Sequence, residues 1–113
     1  MPLLPETRHL IDAAALARMR PSAVLVNTCR GPVVDEAALV AALRDGVIAG
    51  AALDVFEFEP DVTEELLTFE NVVLCPHLGS ATASTRNAMG MLAVNALRAV
   101  LLEDRRPANA VGM

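Results

Sequence analysis

The sequence has no tryptophan and no tyrosine, and only three phenylalanines among 113 residues. Its core must therefore be aliphatic, and it offers no aromatic platform on which single-stranded bases stack. Lysine is missing too: the nine basic residues are all arginines, scattered and outnumbered by fourteen acids, for a formal charge of -5. A polyanion-binding surface needs clustered cations that displace counterions, so no nucleic acid partner is expected. No apolar run approaches the roughly 20 residues that span a bilayer, so no membrane partner is expected either. The amino-terminal stretch MPLLPETRHLID lacks the basic flank and long apolar run of a signal peptide. Two cysteines, Cys29 and Cys75, form neither a metal-ligand spacing nor a disulfide framework. They are read as reduced thiols of a cytoplasmic protein, and no metal site is expected. Ser22, Ser80 and Ser84 lack the strand-turn-helix context of a hydrolase nucleophile. Neither a GxGxxG turn nor a P-loop occurs.

What is present is alanine, leucine and valine: 54% of the chain is hydrophobic, enough for one folded domain in spite of seven prolines. Asp12 to Met19 reads as a short helix capped by Asp12 and limited by Pro21. Ala23 to Asn27 is a short apolar run without alternation, which predicts a strand covered on both faces. Asp35 opens a helix that runs from Glu36 to about Arg44 and stops at Gly46. Val47 to Leu53 leads into a second strand ending near Asp54, and Val72 to Cys75 makes a third before Pro76. From about Ala81 to Glu103, Met89, Leu92, Ala93, Ala96, Leu97 and Val100 recur at helical spacing and predict a long, core-facing helix. Strands alternating with helices imply an α/β fold with a parallel sheet built from βαβ units.

Each predicted strand ends in a polar cluster, and ligands of open parallel sheets sit beyond the carboxyl ends of the strands. Arg30, after the first strand, carries a planar fork that fits a carboxylate; it serves equally as a surface partner for Asp35 or Glu36. His77 is a proton donor or acceptor near neutral pH, or a histidine that holds a turn. Asp54, Glu57 and Glu59 place carboxylates near the same edge, where one of them can orient His77. The ordinary fate of such an acidic run is solvation, and Glu57 is assigned to it. His9 is given no role.

Three long blocks, VLVNTCRGPVVDEAALVAAL, GAALDVFEFEP and VVLCPHLGSATASTRNAMGMLAVNAL, resemble consecutive signature blocks of the D-isomer-specific 2-hydroxyacid dehydrogenases, in that family's order and spacing. PLLPETRHLID is similar to the segment just upstream, with Leu4 where the family has threonine. The resemblance covers essentially the whole chain. Within the family it is most similar to glyoxylate/hydroxypyruvate reductases, with the phosphoglycerate and lactate branches open.

The resemblance implies the second half of a Rossmann-type NAD-binding domain over residues 1–82, and a long helix and tail over 83–113 that bridge to a substrate domain. It implies that Arg30 binds the substrate carboxylate, that His77 is the acid/base and that Glu59 is its partner. Thr28, Cys29, Arg30, Asp54, His77, Leu78, Gly79 and Ser80 would hold the nicotinamide end of NAD or NADP, with Asp54 on the carboxamide. The expected partners are a small 2-oxo or 2-hydroxy acid and, in the complete protein, a second copy. The glycine-rich turn and the residue that selects NAD or NADP are missing, so the fold is expected to be incomplete, with an open sheet edge and exposed apolar helix faces. Beginning at Met1 within PLLPET, the chain is expected to be a truncated product, a partial reading frame or an excised segment. Alone it is expected to be nearly silent in catalysis; the competing expectation is a non-catalytic remnant that serves as an interaction or oligomerisation module.

Overall fold

The computed structural model describes residues 1–111. They form two compact units, Met1–Gly79 and a second beginning at Ser80. The first unit contains helix α1 (Ala13–Ala17), strand β1 (Val24–Asn27), helix α2 (Glu36–Arg44), and strands β2 (Gly50–Leu53) and β3 (Val72–Leu74). The second contains one helix, α3 (Ala83–Leu101).

Both α1 and α2 begin where an aspartate supplies the missing acceptor for a first-turn amide. Asp12 accepts from the Ala15 amide at 2.8 Å and Asp35 from Ala38 at 3.0 Å. Helix α2 ends at Asp45, and the next residue, Gly46, has φ +67°, the left-handed conformation that stops a helix. Leu39, Val40, Ala42 and Leu43 are buried, and with Leu16 of α1 they form the centre of the core.

The strands make a parallel sheet in the order β1-β2-β3. Leu25, Ala51 and Val72 share one face, and that face packs on the helical core. The connection from β1 to β2 is α2, a βαβ unit as the sequence pattern implies. The connection from β2 to β3 holds only a 3-10 turn, Glu64–Thr68, whose Leu66 is buried.

Two expectations drawn from the hydrophobic pattern fail here, while the exposed apolar helix face expected of an incomplete fold is found. β1 is not covered on both faces: Val24 and Val26 are 59% and 64% exposed, and Val73 of β3, on the same side, is 61% exposed. An apolar strand without alternation records what both faces are suited to touch, and among the described residues of the first unit only one face is met. In α3 the apolar stripe is equally bare, with Leu92 at 57% and Leu97 at 60% exposure, and Ala99 is its one buried residue. Its periodicity was a sound guide to the helix and none to its cover.

Candidate active site

The ladder of the sheet decides where the polar loops emerge. Asn27 lies beside Leu53, and Leu53 beside Leu74, so the three carboxyl ends are level. Two backbone bonds continue the ladder past the strands, Asp54 N–H to Asn27 at 2.9 Å and Cys75 N–H to Leu53 at 2.8 Å. Segments 28–31, 54–60 and 75–79 therefore leave the sheet side by side.

Buried Asn27 organises the first of them. Its side-chain amide donates to the Arg30 carbonyl at 3.0 Å, and its carbonyl oxygen accepts from the Cys29 amide at 3.1 Å and the Cys29 thiol at 3.0 Å. Thr28 and Arg30 are held exposed at the rim, with Cys29 half-buried between them. The Arg30 guanidinium donates to the Cys29 carbonyl at 2.6 Å. Gly31 then presses on the backbone of Phe56 and Glu57, so the arginine loop and the acidic loop touch.

Asp54 organises the third segment. Its carboxylate, buried at the end of β2, accepts from the Leu78 amide at 2.6 Å and from the Gly79 amide at 2.8 Å. Such charge-assisted bonds contribute about 1.5–3 kcal/mol each. They offset a cost just before them: His77 has φ +55°, a left-handed conformation that costs roughly 1–2 kcal/mol in a non-glycine residue. Backbone held away from its easy conformations clusters at functional sites.

So placed, His77 Nδ1 lies 3.1 Å from Glu59 Oε2, while Glu59 Oε1 accepts from the Phe56 amide at 3.0 Å. Phe56, Glu59, Pro60, Val62, Pro76 and His77 line a cleft of about 380 Å³. Arg30 is not part of that lining, but its positive charge acts on Glu59. The hydrogen bond from His77 chiefly, then that from the Phe56 amide and the charges of His77 and Arg30, hold the Glu59 carboxyl below its ordinary value of 4.5, against the opposing effect of burial. An ionised Glu59 can only accept, so the Nδ1 atom of His77 carries the proton between them. Ser80 opens the second unit.

A model of the D-isomer specific 2-hydroxyacid dehydrogenase, NAD binding domain, matches residues 1–79. The chain belongs to this family. It is 56% identical over 102 residues to a glyoxylate/hydroxypyruvate reductase B of Enterobacter agglomerans, covering 89% of this chain and 32% of that protein. A glyoxylate reductase of Thermofilum pendens is 54% identical, over 96% of this chain and 32% of its own length. Among solved structures, the NADPH-dependent glyoxylate/hydroxypyruvate reductase of Sinorhizobium meliloti in complex with NADP and malonate is 45% identical, with a TM-score of 0.87 over 98% of this chain and 38% of that one. The apo D-mandelate dehydrogenase of Rhodotorula graminis is 38% identical, with a TM-score of 0.92 over 100% of this chain and 33% of that one. The chain thus spans about a third of the length of its relatives, and its parallel sheet with α1 and α2 lies in the part matched to the family's NAD-binding domain.

Sequence reasoning missed a second set of polar residues. Glu57, assigned to solvent, has a side chain only 5% exposed. Its Oε1 accepts from Arg8 at 2.8 Å and contacts His9 Nε2 at 2.7 Å, and its Oε2 accepts from the Glu36 amide at 3.2 Å. Buried Glu36 answers it, accepting from the Glu57 amide at 2.9 Å and from the amide and hydroxyl of Thr63. Burial of a carboxylate is tolerable only with such partners, and these stand 21 to 49 residues apart in the chain. No local pattern announces them. His9 thereby acquires the part that the sequence denied it.

The low Glu59 value sets a direction for pH. A carboxyl whose folded value is depressed stabilises the fold fully above its unfolded value, here 4.5, and loses that contribution as pH falls through the lower folded value. Carboxyl-carbon NMR of the labelled chain is expected to show Glu59 titrating below 4.5; a midpoint at or above 4.5 contradicts the His77 contact.

Proposed function

We propose that the segment is the nicotinamide and proton-transfer half of an NAD(P)-dependent 2-oxoacid reductase acting on glyoxylate- or hydroxypyruvate-like acids. The observation that carries this reading is the Glu59–His77 pair at the carboxyl edge of the sheet, 3.1 Å apart, beside the arginine loop. That the Enterobacter agglomerans relative is a glyoxylate/hydroxypyruvate reductase and the Thermofilum pendens relative a glyoxylate reductase supports the substrate class.

The chemistry needs a cation and a proton donor aimed where a carbonyl oxygen gains negative charge. Arg30, exposed at the rim, offers two parallel hydrogen bonds to the carboxylate of a 2-oxo acid. With Nδ1 turned to Glu59, His77 is left to act through Nε2, giving a proton to the carbonyl oxygen in reduction and taking it from the hydroxyl in oxidation. Glu59 fixes that tautomer and stabilises the imidazolium. A bound nicotinamide ring supplies or accepts the hydride.

The residues fit such a ring. Each Asp54 oxygen accepts one backbone amide and carries a further lone pair, which suits the N–H groups of a carboxamide. Thr28, Cys29, Leu78, Gly79 and Ser80 complete the assigned set, and the choice between NAD and NADP lies with residues outside this chain. We assign residues 1–82 to the second half of the dinucleotide domain and 83–113 to a bridge toward the substrate domain. A homodimer of the longer enzyme, supported by the bare apolar stripe of α3, and a cytoplasmic setting, supported by two unpaired cysteines, belong to the same reading. No helix among the described residues is long and apolar enough to cross a membrane.

The test is a chimera in which this chain replaces its matched stretch in the Enterobacter agglomerans reductase. It is expected to reduce glyoxylate and hydroxypyruvate with NADH or NADPH. The 113-residue chain alone is expected to be nearly inactive and to bind NADH weakly, with amide shifts confined to 28–30 and 77–80. A folded chimera without reductase activity defeats the proposal.

A further inference from the structure

The loop that carries Glu59 is fastened on either side of it by groups that never approach the cleft. Glu57 and Glu36 exchange backbone bonds in both directions, the amide of each donating to the carboxylate of the other at 3.2 and 2.9 Å. Glu36 also takes the amide and hydroxyl of Thr63, so one carboxylate grips the chain both before and after Glu59. The outer side of the clasp is closed by Arg8 and His9 on Glu57. Because Glu36 is the first residue of α2, the whole assembly is anchored to the most deeply packed helix of the unit. The cleft around this cluster, about 530 Å³, has its nearest charges engaged with one another rather than turned toward a ligand.

We infer that Glu36 and Glu57 are positioning residues that hold the 56–63 loop so that Glu59 meets His77. The inference rests on the proposed role of the Glu59–His77 pair, but the placement itself is measurable without any reaction. Between Glu57 and Glu59 the backbone advances by only two residues, and Glu59 has one other tether, the Phe56 amide. A fixed Glu57 thus leaves Glu59 little room to leave His77; a released Glu57 frees the loop at its entry. A carboxylate poised by neighbours that are themselves anchored is the general requirement for a preorganised site.

Glu57→Gln distinguishes positioning from mere charge, because the two act in opposite directions on Glu59. Removing a nearby negative charge through space makes Glu59 easier to ionise and lowers its titration midpoint. Releasing the loop takes Glu59 from His77 and raises the midpoint. An amide in place of the Glu57 carboxylate presents N–H groups either to the Glu36 amide or to the Arg8 guanidinium, neither of which accepts, so one side of the clasp fails. Carboxyl-carbon NMR of the whole 113-residue chain is expected to show the Glu59 midpoint rising by more than half the rise produced by His77→Ala. Combined with His77→Ala, Glu57→Gln is expected to add no further rise.

Thr63→Val removes only the hydroxyl contact to Glu36 and no charge, and is expected to raise the midpoint by a smaller amount; it decides the matter if the glutamine variant does not fold. A midpoint unchanged or lowered in both variants overturns the inference, as does a rise that persists without His77. Loss of the inference in this way leaves the activity of the chimera untouched, whereas an inactive chimera leaves the titration result standing.

Discussion

His77→Ala in the active chimera is expected to lower turnover by about 10²–10⁴-fold, the usual contribution of a positioned general acid or base, with a much smaller change in affinity for the dinucleotide. His77 is the only imidazole on the 75–79 segment, and its ring is held at Nδ1 by Glu59. Alanine removes the proton donor and also sits uneasily at φ +55°, so lost activity alone would leave folding as an explanation. His77→Asn separates the two. Asparagine tolerates the left-handed region better than other non-glycine residues, so the loop and its two bonds to Asp54 should persist, yet its carboxamide neither gives up nor takes a proton near neutral pH. Both variants are expected to fall to the same low rate. Steady-state assays that found turnover within tenfold of the parent in the asparagine variant would remove His77 from the acid/base role.

Gly31→Ala is expected to destabilise the fold strongly. A Cβ at Gly31 would lie 1.8 Å from the Phe56 carbonyl oxygen and 2.5 Å from the Glu57 nitrogen. Both are backbone atoms of the loop that bears Glu59, and no rotamer change relieves the clash. Overpacking typically costs about 1–3 kcal/mol and sometimes more; with a whole peptide group as the obstacle the upper end applies, about 3 kcal/mol. Gly46→Ala is the natural control. Nothing stands within 4 Å of a Cβ there, and only its φ of +67° opposes the change, for a cost of about 1 kcal/mol. Urea unfolding of the two variants should therefore give clearly separated midpoints, with Gly31→Ala the lower. Equal midpoints would show that the arginine loop does not press on the acidic loop as described.

The parts of the molecule that could be read in the sequence are those governed by near neighbours along the chain. Asp35 and Gly46 bracket α2 as an acceptor and a left-handed stop should. The β-branched run before Asn27 is a strand because its side chains suit a pleated surface. That Glu59 and His77 lie close was expected from the resemblance of their blocks, and the sheet register explains why residues 18 apart meet. Illegible were contacts whose partners are remote and whose letters are commonplace. Glu57 in an acidic loop has the composition of a solvated residue, and only the packing of Arg8, His9 and α2 around it makes it a buried acceptor. Asn27 looked like one polar residue among several; its burial and its three bonds to residues 29 and 30 give it the command of that turn.

The uncovered side of the sheet has a practical meaning for anyone who wishes to use this segment by itself. Val24, Val26 and Val73 present branched hydrocarbon to water on strands that have no need of a valine for their hydrogen bonds. Threonine has the same branched shape and a hydroxyl for the solvent. A free-standing, well-behaved miniature of the domain therefore begins with those three positions, on the side opposite the core, where repainting the surface leaves Arg30, Glu59 and His77 as they are.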